Sequence, residues 1–208
     1  LPGLVIENCS SGGHRLEPSF LELTSMSSFS DAHETPEIPV IAANLLRLVP
    51  ARQLQVWAVL RPEDPAERTI YSLAAALLGR VCLSGAADLL TDAQLALVRR
   101  ALDLYHRASP LLVGGVNRRF GSAVSSHRHP RGWQAVRRVS ADGKRILVVA
   151  HAFAADGDVK CEAPLPDGPW KIAETFAAPD DDAHLEAGCL SLRFASAFRG
   201  GAILLERP

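Results

Sequence analysis

From the first residues to about position 113, short apolar runs alternate with longer stretches whose apolar positions recur every three or four residues. Leu4, Val5 and Ile6 make a largely β-branched run that gives way to polar and then small residues. That is the form of a buried parallel strand meeting its loop, and a strand is expected over 4–9. A weak helix is expected over 18–24, with Phe20, Leu21 and Leu23 as its apolar face, followed by a short strand over 26–29 that ends at Ser30 and Asp31. Ile38, Ile41, Ala42, Leu45 and Leu48 set a helix over 37–49, with Thr35 as its cap and Pro36 in its first turn. A strand over 54–60 carries Trp57, and a strong helix over 65–79 is closed by Gly79. Val81, Cys82 and Leu83 form the next strand, and a last helix starts at Thr91 and ends at Pro110. Such alternation is the pattern of parallel βα units with right-handed crossovers. Periodicity leaves an open doubly wound sheet and a closed (β/α)8 barrel equally available.

Past Pro110 the grammar changes. Gly114 and Gly115 mark a hinge-like boundary, so the chain divides into 1–113 and 114–208, and no helix pattern follows. Residues 133–139 alternate, Ala141-Asp142-Gly143-Lys144 has the composition of a hairpin turn, and 146–153 returns as a strand. Further strands are expected over 170–176, 189–194 and 202–205, separated by Pro, Gly and Asp clusters, with 179–182 a solvated loop. Short strands at this spacing predict an antiparallel β-sandwich.

Bulk properties narrow the partners. The 208 residues are 48% hydrophobic, ample for a buried core, and the net charge of −1 gives no reason to expect nucleic acid or an anionic membrane. No apolar run approaches the roughly 20 residues of a membrane span. Cys9, Cys82, Cys161 and Cys189 are scattered without ligand spacing, which predicts free thiols in a reducing compartment, the cytoplasm, and neither a disulfide framework nor a metal site. The chain opens at Leu1 without a Met and close to a strand, so its native start is expected to lie upstream.

The candidate chemistry sits near the start. Two adjacent glycines, Gly12 and Gly13, let the backbone turn tightly and approach a ligand, and they stand beside a thiol, an arginine and, further on, a carboxylate. The run Glu7-Asn8-Cys9-Ser10-Ser11-Gly12-Gly13-His14-Arg15, with Phe29-Ser30-Asp31-Ala32-His33-Glu34 after it, resembles a motif pair of the family 36 glycoside hydrolases, the bacterial α-galactosidases. In that family the pair reads Cys-(Ser/Ala)-Ser-Gly-Gly-x-Arg and Trp-(Thr/Ser)-Ser-Asp-x-Thr-Asp, at a similar separation. Phe29 stands here for the Trp, His33 for the Thr and Glu34 for the last Asp, while Glu17-Pro18-Ser19 replaces the more usual Asp-x-Gly.

The resemblance implies a fold and a reaction. The Cys-Ser-Ser-Gly-Gly loop would follow the fifth strand of a (β/α)8 TIM barrel and Asp31 the sixth. The chain would then hold the C-terminal half of that barrel, strands 5 to 8, followed by an antiparallel β-sandwich. Asp31 would be the general acid/base of a retaining mechanism, with Cys9, Gly12 and Arg15 in or under the substrate pocket, and no cofactor is implied. The expected partners are an α-galactoside or related oligosaccharide and the missing N-terminal half of the barrel, which carries the nucleophile. Half a barrel exposes strand edges and interior apolar residues, so association into a homo-oligomer is an alternative outcome. A non-catalytic carbohydrate-binding or assembly module and a raffinose-synthase-like transglycosylase are the other functions the resemblance allows.

Each residue also has a plainer role available. Asp31 would serve as a helix cap ahead of Pro36, Cys9 as a small core residue, and Arg15 as a tether for Glu17 or Glu34. His33 is expected at the rim of the site. His127 and His129, beside Arg128 and Arg131, are expected in a solvated loop in preference to a metal site, and Trp57 and Trp133 in the core or between domains, which leaves Trp170 to stack on sugar.

Overall fold

A computed structural model of the chain describes residues 3–9 and 12–208. Ser10 and Ser11 of the first motif, and the opening at Leu1, lie outside the described residues. Four parallel strands, β1 (Glu7–Asn8), β2 (Met26–Ser28), β3 (Leu54–Leu60) and β4 (Arg80–Gly85), lie side by side in their sequence order. A doubly wound sheet reverses its strand order at a switch point, and among the described strands there is no reversal. Between them run α1 (Pro18–Leu23), α2 (Ile38–Leu45) and α3 (Ala66–Ala76), and α4 (Asp92–Gly114) closes the series.

Several boundaries differ from the hydrophobic pattern, each for a local reason. Leu4, Val5 and Ile6 are 57%, 63% and 43% exposed and not strand, because β1 has β2 as its one neighbour and pairs through Glu7 and Asn8 alone. Thr35 does not cap α2. The cap position falls at Glu37, with Pro39 in the first turn, while Thr35 is fully buried. Nor does Pro110 end α4. The carbonyl of His106 that loses its amide partner there accepts the Ser109 hydroxyl instead, at 2.9 Å, and buried Leu111 and Leu112 hold the last turn on the core. Thr91 begins this helix with a complete capping box, its hydroxyl accepting from the Gln94 amide and its own amide donating to the Gln94 side chain.

From Val116 every element is a strand, and two sheets pack face to face. The larger contains β5 (Val116–Gly121), β6 (Trp133–Val139), β7 (Arg145–Ala152), β9 (Lys171–Phe176) and β12 (Gly200–Glu206), in the order β5-β6-β7-β12-β9. The smaller has β8 (Val159–Pro164), β10 (Asp182–Glu186) and β11 (Cys189–Phe194), in the order β10-β11-β8, and all pairs are antiparallel. Ala135, Ile146, Val148, Ile203 and Leu205 meet Cys161, Leu190, Leu192 and Phe194 between the sheets. The opposite face of the large sheet, through Val136, Leu147, Val149, Ala202 and Leu204, shares one core with α3, α4 and the parallel sheet. That double burial explains why β7 reads Ile-Leu-Val-Val-Ala-His-Ala, nearly without polar positions. Arg138 crosses the junction. It is buried, its Nε donates to Asn117 Oδ1 at 2.7 Å and its Nη2 to the Leu78 carbonyl at the end of the α3 segment, and burial pushes its guanidinium down to about 10. The 179–182 segment is not wholly solvated, since the Asp181 side chain is 2% exposed and accepts the Ala195 amide at 3.0 Å.

Candidate active site

The loops that follow β1 and β2 leave the same, C-terminal end of the parallel sheet, and they touch. Gly12 (φ +46°) comes so close that a Cβ there would overlap the backbone nitrogen of Asp31 and lie 2.5 Å from its carboxyl carbon. Gly13 (φ +83°) packs in the same way on the Phe29 carbonyl, where a Cβ would lie at 2.6 Å. Both positions demand glycine for conformation and for space. The two motifs, nearly twenty residues apart in the chain, thus build one feature: a glycine bend cradling a carboxylate.

Asp31 itself is exposed and held through its backbone. The Ala32 amide donates to Ser30 Oγ at 3.0 Å, His33 Nδ1 lies 2.8 Å from the Asp31 carbonyl, and Arg61 donates to the His33 carbonyl at 3.4 Å. Asp31 is not a helix cap, since α2 begins six residues later at Glu37. The His33 ring lies on Trp57, with centroids 4.9 Å apart, and Trp57 meets the buried Phe29 edge-on at 6.1 Å. An aromatic wall therefore stands beside the carboxylate, and Trp57, half-buried, belongs to it as well as to the core.

Strand alternation puts Glu7 and Cys9, Met26 and Ser28, Gln55 and Trp57, and Arg80 and Cys82 on one face. This face is polar and half-open, whereas Leu54, Val56, Ala58 and Leu60 on the other are buried. Three strand spacings span about 14 Å in a flat sheet. Burial nevertheless pushes the Cys82 thiol of β4 up with help from the charges of Glu7 and Cys9, on and just beyond β1. The two edges thus lean toward each other, and the sheet is curved with its polar face inward.

Not every expected residue joins this feature. Cys9 is exposed and a free thiol, not a core residue. Arg15 stacks over Phe20, its guanidinium carbon 5.5 Å from the ring centroid, and among the described residues makes no ion pair with Glu17 or Glu34. Its carbonyl accepts Asn8 Nδ2 at 2.6 Å, which ties the end of the glycine bend back to β1. Trp170 is braced by Arg207 at 4.8 Å and donates to the Pro166 carbonyl in the sandwich, far along the chain from this loop pair. Among the described residues no cluster of His, Cys, Asp or Glu could hold a metal ion, and no helix is long and apolar enough to cross a membrane. A large cavity, about 770 Å³, lies at the opposite end of the sheet beside Pro18, Leu21, Leu48 and Gln53, away from Asp31.

Comparison with solved structures identifies this arrangement. The galactosidase domain of the α-galactosidase-sucrose kinase AgaSK superposes on 100% of the chain with a TM-score of 0.75 at 18% identity. The fold is that of part of a GH36 α-galactosidase. The GH36 α-galactosidase AgaA from Geobacillus stearothermophilus, in a complex with raffinose, covers 99% of the chain with a TM-score of 0.69 at 16% identity. The α-galactosidase from Lactobacillus brevis covers 97% with a TM-score of 0.66 at 13% identity. In each case the chain spans about 29% of the length of the protein it matches. No protein-family model matches the sequence, and no curated protein gives a significant match.

Proposed function

We propose that the chain is the C-terminal part of a retaining α-galactosidase-like glycoside hydrolase and carries its general acid/base, Asp31. On this reading 1–113 are strands 5 to 8 of a (β/α)8 barrel and 114–208 its C-terminal sandwich. The contact of Gly12 with Asp31 at the C-terminal mouth of a curved, sequentially ordered parallel sheet carries the proposal, because active sites of such barrels are built from those loops. The likeness of fold to GH36 α-galactosidases supports it.

In the mechanism a carboxylate from a strand outside this chain attacks the anomeric carbon of a terminal galactosyl unit. Asp31 protonates the departing oxygen, then takes a proton from the water that hydrolyses the glycosyl-enzyme, with net retention. The two carboxyls must stand about 5 Å apart, so Asp31 has to be fixed through its backbone while its carboxyl stays open to the sugar. The His33 contact and the Gly12 bend supply that fixing, and the Trp57 wall offers an apolar surface to a sugar ring. Cys9 and Arg15 border the pocket from the first loop.

The test uses nitrophenyl α-galactoside. The 208-residue chain alone is expected to give no turnover, for want of the nucleophile. In a longer protein that supplies strands 1 to 4, Asp31→Asn is expected to lower turnover by about 10²–10⁴-fold. Azide, which needs no general base, should restore it with α-galactosyl azide as product. Turnover by the 208-residue chain, or an Asp31→Asn enzyme of full activity, would overturn the assignment. A longer protein that binds galactose yet is inactive with Asp31 intact would instead mark a carbohydrate-binding module.

A further inference from the structure

The loop between β5 and β6 carries His127-Arg128-His129-Pro130-Arg131, and the glycosidase reading uses none of it. Its residues do not form a metal site: His127 faces Glu37 instead, Nε2 to carboxylate 3.6 Å. Arg128, His129 and Arg131 line a cavity of about 270 Å³, completed by Pro36 from the loop after β2 and by Phe198 from the loop before β12. Among the described residues neither arginine makes an ion pair or a side-chain hydrogen bond. Elsewhere Arg107, Arg193 and Arg199 all find carboxylates.

The cavity is mounted on fixed backbone. Arg131 bridges to Ala154, the Ala154 amide donates to the Pro130 carbonyl and the Gly132 amide to the Ala154 carbonyl, both at 3.2 Å, and the His129 amide donates to Ser126 Oγ at 3.3 Å. Phe198 is held at φ +54°, a conformation a bulky residue adopts only under constraint from its surroundings. Two unpaired guanidiniums and an imidazole thus converge on a preformed recess with an aromatic wall. Guanidinium forks match the oxygens of a phosphate, two at a time, better than those of any neutral sugar. The volume lies just under the roughly 300–1,000 Å³ of small-molecule pockets, which suits a small ligand.

We infer that this recess is a binding site for a phosphate group on a small molecule, held by Arg128 and Arg131 with Phe198 against the rest of the ligand. The site lies at the junction of both halves of the chain and does not depend on Asp31 chemistry.

Titration calorimetry of the whole protein at low ionic strength tests it, with inorganic phosphate, a hexose 6-phosphate and the unphosphorylated hexose as probes. Saturable one-to-one binding of phosphate is expected, tighter for the hexose phosphate if Phe198 contributes, and none for the hexose alone. Arg128→Ala and Arg131→Ala should each weaken binding at least tenfold, and the paired lysine variant should weaken it less. Arg99→Ala, which removes an exposed charge on α4, should leave it unchanged. Circular dichroism confirms that each variant is folded. Absence of phosphate binding by the wild type, binding that survives Arg128→Ala/Arg131→Ala, or an equal loss with Arg99→Ala would each overturn the site.

Discussion

The two halves of this chain treat their sheets in opposite ways. The antiparallel half is closed: its large sheet is covered on one face by the small sheet and on the other by α3 and α4, and β7 has seven of its eight residues buried. The parallel half is covered on one face only. Its other face carries Glu7, Gln55, Trp57 and Cys82 half in the open, and both outer strands lack a second neighbour. A packed interior leaves no room for a ligand and tolerates few polar groups without partners. The half-covered, polar, concave face is the one with space for chemistry, and Asp31 stands at its rim.

That contrast can be broken in graded steps. The largest effect is expected between the closed sheets, where Phe194→Ala leaves a cavity and should cost about 3–5 kcal/mol by denaturant titration. Asp31→Asn, at the open half, should change stability by less than about 0.5 kcal/mol, since its exposed side chain makes no bond among the described residues. A comparable loss of stability at both positions would erase the distinction.

The junction between the halves should respond to pH next. His151 is buried against Tyr71, its Nε2 3.2 Å from the Tyr71 carbonyl, and burial pushes its imidazole down from 6.5 to about 4. The unfolded chain therefore takes up a proton between pH 6.5 and 4 that the folded chain refuses, so stability falls as the pH is lowered through that window. The full loss is about 3 kcal/mol, and His151→Gln should flatten that part of the profile, measured as unfolding midpoints from pH 7 to 4. Arg138→Ala should cost about 2 kcal/mol at any of these pH values, because the Leu78 carbonyl and Asn117 lose their donor.

The smallest effect in stability, and the sharpest in function, is expected at Gly12→Ala. A Cβ at φ +46° against Asp31 should cost about 1–2 kcal/mol and displace the carboxylate. In the active longer protein this should lower kcat by more than tenfold while leaving the sandwich intact by near-ultraviolet circular dichroism.

The elements were legible where one local rule governed them. The spans of β3, β6 and β11 coincide with their apolar patterns, and Thr91 with its Gln94 partner announced α4. Strands β5, β8 and β10 escaped notice because they are short edge or small-sheet strands rich in Arg, Lys, Glu and Asp. Leu4 to Ile6 misled, since an apolar run becomes a buried strand only if something covers it, and here nothing described does. The glycine bend and Asp31 were visible as paired motifs. Trp57 and His33 as a wall were not, because an aromatic at strand spacing reads as core until a second ring is found lying on it.

By itself the sequence determined what depends on neighbours in the chain: helix caps, turn glycines, the switch from alternating βα units to short strands near Gly114, and the residue types of a carboxylate site. Tertiary structure alone decided what depends on distant residues. It brought Gly12 onto Asp31, curved the sheet until β4 felt the charges beside β1, and gathered Arg128, Arg131 and Phe198 from separate loops. The physical reason is range. Backbone conformation answers to a few neighbours along the chain, whereas burial, charge and cavity shape answer to whatever the folded chain brings within a few ångströms.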